Sequence, residues 1–123
     1  MSVSNYAENK LLDAVCANTS YSVAAVYIKL HIGDPGEACT SNAAAETTRK
    51  VVTFGAAASG TSTSNADATW TNVSTGETYS HISLWDAATA GNALWYGALT
   101  ASKTVNAGDT FQISSTALTV SLD

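Results

Sequence analysis

From His81 to Asp109 the chain reads H-I-S-L-W-D-A, breaks at Gly91-Asn92, resumes as A-L-W-Y-G-A-L and closes with K-T-V-N-A-G-D-T. The two segments flanking the glycine turn alternate in the manner of half-buried strands. A second polar turn at Asn106 to Asp109 feeds Thr110 to Ser114, so the run predicts a three-stranded antiparallel meander. No catalytic geometry is visible in it.

The same period recurs upstream. Between Val23 and Ile32, Val26, Ile28, Leu30 and Ile32 point one way, and Tyr27, Lys29 and His31 the other. Gly33-Asp34-Pro35-Gly36 ends that strand, because Pro fixes φ and Gly permits a left-handed residue. Arg49 to Phe54, Ala66 to Val73, Tyr79 to Asp86, Ala93 to Leu99, Thr110 to Ser114 and Leu118 to Leu122 read as further short strands. Gly55 to Asn65 has the composition of a flexible linker, although its β-branched Thr residues also suit an exposed strand edge. Strands at roughly ten-residue spacing with turns between them indicate an all-β fold. We expect an antiparallel β-sandwich of seven to eight strands in a single domain spanning residues 1–123.

One helix is expected, over residues 5–17. Asn5 precedes Glu8 by three residues, the spacing of a capping box, which would make Asn5 the N-cap. Ala7, Leu11 and Val15, with Leu12 and Cys16 beside them, form one apolar stripe about three turns long. A helix so short is not stable alone, so this stripe must dock on the sheet or on a neighbouring subunit.

Composition sharpens the picture. Alanine supplies 22 residues, leaving about thirty large apolar residues to make the core, with Trp70, Trp85, Trp95, Phe54 and Phe111 the largest. Charged residues are only 12% and the net charge is −5, with Arg49-Lys50 the single basic pair. Nucleic-acid binding requires a basic footprint, which this chain lacks. No apolar run is long enough to span a membrane, and the N-terminus has neither the cationic start nor the apolar stretch of a signal peptide. Synthesis and folding in a cytoplasm are expected, and with them free thiols at Cys16 and Cys39.

Few residues offer chemistry. His31 and His81 lie in strands without adjacent carboxylates, and a metal site would need Asp34 or Asp86 brought to them by the fold. Asp34 and Glu37 flank a Pro-Gly turn but lack the spacing of a calcium loop. No nucleophile elbow or paired-carboxylate arrangement is present, so we expect no enzyme, no cofactor and no catalytic or metal residue. Strict alternation puts Trp85 on the same side as Tyr79, His81 and Ser83, opposite Ile82 and Leu84. If the Trp85 face is outward, a carbohydrate platform or a subunit contact follows; otherwise Trp85, Trp95 and Tyr96 fill an alanine-rich core.

Taken together, the His81 to Asp109 run, L-H-I-G-D-P-G-E at Leu30 to Glu37, N-Y-A-E-N-K-L-L-D from Asn5 and the closing A-L-T-V-S-L-D resemble a family of small tailed-phage virion proteins, described as head decoration or tail fibre proteins. That resemblance implies a structural role on the virion. Its first form is a capsid decoration protein that binds the major capsid protein and copies of itself on the head surface, where a trimer would suit a three-fold site. Its second form is a tail or head fibre component that touches the host. The absence of heptads or a collagen-like period favours the head. Contacts are expected in the N-terminal segment, in the loop from Glu37 to Arg49 and in Gly55 to Asn65. The loop reads A-A-A-E-T-T-R before its strand, a departure from the Gly- and Tyr-rich family pattern.

Overall fold

The computed structural model describes residues 1–122; the last residue of the expected domain, Asp123, lies outside them. In chain order the elements are β1 (Ser2–Val3), α1 (Asn5–Cys16), β2 (Val26–His31), β3 (Lys50–Val52), β4 (Thr61–Thr63), β5 (Ala68–Trp70), β6 (Glu77–Trp85), β7 (Ala93–Val105), β8 (Phe111–Ile113) and β9 (Thr119–Ser121). The fold is all-β with a short N-terminal helix, as the alternation implies. Nine strands are present among the described residues; β1 is the one with no sequence signal.

Five strands form one antiparallel sheet in the order β1-β7-β6-β2-β3, and the other four pair as two ribbons, β4 with β9 and β5 with β8. Ile28 and Leu30 of β2 lie directly opposite Leu84 and Ile82 of β6, and Leu84 is in turn opposite Trp95 of β7. These side chains share a core with Ala68, Trp70, Phe111 and Ile113 of the β5–β8 ribbon. The Tyr79 ring meets Phe111 edge-on at 5.0 Å between centroids, and Phe111 stands 5.7 Å from Trp70, so aromatic contacts join sheet to ribbon.

The meander is only two strands long. β6 and β7 form the expected hairpin, but β8 pairs with β5, with Trp70 opposite Phe111 and Ala68 opposite Ile113. The turn that was to fold β8 back onto β7 is instead anchored to the end of β5. Val73 N donates to Asp109 O (3.0 Å), and Gly108 N donates to Val73 O (2.8 Å). Pairing with β5 buries Phe111 and Ile113 against Trp70, which an exposed edge of β7 could not offer. A cleft of about 420 Å³ is left between β7 and β8.

Tyr79 also departs from strict alternation. Its partner is Lys103, while His81 is opposite Ala98, so Leu99 to Ser102 stand against Ser80 alone. This irregularity turns Tyr79 onto the face of Ile82 and Leu84, where it is fully buried. His81, Ser83 and Trp85 keep the opposite face.

The helix begins one residue earlier than the capping box suggested. Ser4 is the N-cap, accepting from Ala7 N at 3.2 Å, and its hydroxyl donates to Ala93 O. Ser4 N also donates to Leu94 O at 2.9 Å. One serine thus caps α1 and fastens it to β7, which Asn5, already inside the helix, cannot do. The apolar stripe does not dock as a whole: Ala7 is the buried residue of α1, while Leu12 is 61% and Val15 82% exposed.

Candidate binding cleft on the outer sheet face

The outer face of the five-stranded sheet carries Tyr27, Lys29 and His31 from β2 directly opposite Trp85, Ser83 and His81 of β6. This face is not an open platform. The segment after the Gly33 turn arches over it and brings Cys39 into a small cluster with Trp85, Ala93 and Tyr96. Trp85 is left only 8% exposed. Of the two expectations for the aromatic residues, each holds for part of them: Trp95 packs against the core, whereas Trp85 faces outward under a cover.

A hydrogen-bond chain fixes the cover to the sheet. His31 Nδ1 lies 2.9 Å from the Ser41 carbonyl oxygen, which can only accept, so Nδ1 carries a proton. Burial lowers the His31 pKa, the largest influence on it, and keeps the ring neutral. Nε2 therefore accepts from Ser83 Oγ at 2.7 Å, and Ser83 Oγ accepts from Trp85 Nε1 at 2.7 Å. The Ser83–His31 pair has the spacing of a nucleophile and its base, but both residues are fully buried. Its geometry orients the Trp85 indole.

Arg49 closes the other side. Its guanidinium lies 4.0 Å from the Trp85 ring centroid and donates from Nη1 to Ala87 O (2.9 Å) and Ala90 O (2.7 Å). Lys29 Nζ is 5.5 Å from the same ring. Asp86 accepts from Asn92 N (2.7 Å) and Asn92 Nδ2 (2.9 Å), which shapes the turn after β6. Gly91, at φ +74°, has room for no side chain, since a Cβ there would meet Asp86.

Between this turn and the first turn of α1 lies a cleft of about 390 Å³. Asn5 and Tyr6 of α1, Glu37 and Ala38 of the covering loop, Trp85, and Gly91 to Ala93 line it. The expected contact regions are thereby partly united: the N-terminal segment and the Glu37 loop meet here, while Gly55 to Asn65 forms β4 and its approach elsewhere. Asn5 was marked in the sequence only as a helix cap and Asn92 only as part of a turn, and Tyr6 not by itself, because nothing local marks residues that converge only through the sheet.

The remaining candidates are dispersed. Asp34 Oδ1 accepts from Gly36 N at 2.9 Å, and His81 Nδ1 is 2.8 Å from Ser80 Oγ. Among the described residues no three His, Cys, Asp or Glu side chains gather as a metal site. Both cysteines are free; Cys39 is buried and its thiol is pushed up to about 11, chiefly by that burial.

The family model described as podophage GP4 fiber I protein gp80 matches residues 2–121. The chain belongs to this family. A member of the podophage fiber I family is a tailed-phage virion structural protein, and the resemblance read from the sequence is correct at that level. Comparison with curated proteins gave no match. No helix among the described residues of this fiber I family member is long and apolar enough to cross a membrane.

Proposed function

We propose that this protein is a non-enzymatic fibre component of a podophage particle, exposed to the host surface. The observation that carries this reading is the match to a fibre family over residues 2–121. The absence of heptads, which favoured the head in the sequence, weighs less once the chain is viewed as a globular part of a fibre whose stalk is built by other segments.

Copies of this chain and adjoining virion proteins are the partners we assign. Leu12 and Val15 of α1 and Leu122 stand exposed around an apolar groove of about 410 Å³. Large apolar residues gathered at one place on a surface support burial against a neighbouring protein. Capsid decoration on the head surface is the second reading; the sparsely charged, Thr- and Ala-rich surface suits packing on a shell as well.

Cryo-electron microscopy of particles lacking the protein, before and after its addition, tests the assignment. Density appearing at the tail or on projecting fibres is expected. Ordered density across the capsid lattice would overturn the fibre reading in favour of decoration.

A further inference from the structure

We propose that the cleft between the first turn of α1 and the Gly91–Ala93 turn binds a neutral saccharide, one or two sugar units in length. The proposal rests on the fibre reading only for the source of that sugar, a glycan on the host surface; the binding chemistry stands on the cleft itself.

Its volume of about 390 Å³ falls within the range of roughly 300 to 1,000 Å³ usual for small-ligand sites. Half-buried Tyr6 and the small exposed part of Trp85 give it aromatic surface. A sugar ring presents C–H groups on its faces and hydroxyls around its rim, so it needs an apolar wall together with polar groups placed beside it.

The polar groups of the cleft fall into two sets. Ser4, the Trp85 indole N–H, the Asn92 backbone N–H and one hydrogen of the Asn92 carboxamide are committed within the protein, to Ala93 O, Ser83 Oγ and Asp86. The Asn5 carboxamide and the Glu37 carboxylate have no intramolecular partner among the described residues and line the same cavity. The first set fixes the walls before a ligand arrives, which lowers the ordering cost of binding. The second set remains free to donate to and accept from hydroxyls.

Charge selects among sugars. Glu37 is the one charged residue lining the cleft. Three cations stand over the aromatic rings beside the cleft, Lys10 over Tyr6 at 5.7 Å and Lys29 and Arg49 over Trp85 at 5.5 and 4.0 Å, but none of them lines it. An acidic sugar or a phosphate would meet the Glu37 carboxylate at short range, whereas a neutral sugar carries no charge for it to repel.

The test uses the purified full chain. It is screened against neutral and acidic oligosaccharides, and the best neutral binder is titrated while backbone and indole N–H signals are followed by NMR. The expected result is saturable binding of a neutral glycan with shifts confined to Asn5, Tyr6, Glu37, Trp85 and Asn92. Tyr6→Ala should weaken it at least tenfold. Because Tyr6 is half-buried and its loss can disturb folding, Asn5→Ala, at an exposed position, is measured alongside and should weaken binding severalfold with thermal stability unchanged. No binding of any neutral glycan at millimolar concentration, equal binding of acidic ones, or shifts centred on the β7–β8 cleft would each overturn the proposal. Head-lattice density in the imaging experiment would refute the fibre reading while leaving this binding result to stand or fall alone.

Discussion

The Arg49 guanidinium rests 4.0 Å from the Trp85 ring centroid and holds the carbonyl oxygens of Ala87 and Ala90. One side chain from the end of the long loop thereby fixes both an aromatic wall of the cleft and the turn that forms its rim. A cation over a desolvated indole contributes about 0.5 to 2 kcal/mol, and each hydrogen bond about 1 kcal/mol more. Arg49→Ala is therefore expected to cost about 2.5 to 4 kcal/mol in thermal or urea unfolding. Arg49→Lys should recover less than half of that, because an ammonium cannot stack flat and bond two carbonyls in one plane. Full recovery by lysine would show that charge alone matters at this site.

Acidification should destabilise the fold through His31. Its folded-state pKa is lowered, first by burial and also by the nearby Lys29 and His81 charges, so the unfolded chain binds this proton more readily. Stability from this group is complete above the unfolded value of about 6.5 and declines as pH falls from there through the lowered folded value. The melting temperature is expected to drop between pH 6.5 and 5.5. His31→Gln should melt lower at neutral pH and show a flatter slope in that window. An unchanged slope would place the titration elsewhere.

Tyr79→Phe should be neutral or stabilising by up to about 1 kcal/mol. The Tyr79 hydroxyl is buried without a hydrogen-bond partner, and burial raises its pKa. Deleting an unpaired buried hydroxyl removes a desolvation cost while keeping the ring on Phe111. A loss of stability in chemical denaturation would mean that the hydroxyl is bonded through an internal water.

Ser4 and Asn5 offer a test of the helix start. Ser4→Ala removes an N-cap worth about 0.5 to 2 kcal/mol together with the bond to Ala93 O. Asn5→Ala should change stability by only a few tenths, as an exposed first-turn residue. Equal losses measured by thermal unfolding would restore Asn5 as the cap.

The two thiols should separate in labelling kinetics. Exposed Cys16 is expected to react with a maleimide within minutes at neutral pH, and Cys39 only on unfolding. The Cys39 thiol is pushed up to about 11 from 9.0, so its contribution is intact below pH 9 and is lost as pH rises towards 11. Rapid double labelling of the folded protein would show that the Glu37–Ser41 cover opens readily.

Period-two alternation in β2, β6 and β7, the glycine turn at Gly91 and the stripe beginning at Ala7 were legible in the sequence because each arises from side chains close along the chain. They pointed to an all-β protein with one short helix, and the motifs at Asn5, Leu30 and His81 carried the resemblance to a virion family that the match over residues 2–121 then showed. Only the tertiary structure decided the partner of β8, since that choice lies in two hydrogen bonds between Val73 and the distant turn at Gly108 and Asp109. It alone turned Tyr79 inward, because four β7 residues stand against Ser80 and no local pattern records such a mismatch. It also decided that Trp85 would lie under a loop beside Tyr6, a meeting of residues nearly eighty positions apart. Alternation says which side chains share a face; what covers that face depends on long-range contacts whose combined free energy no single segment contains.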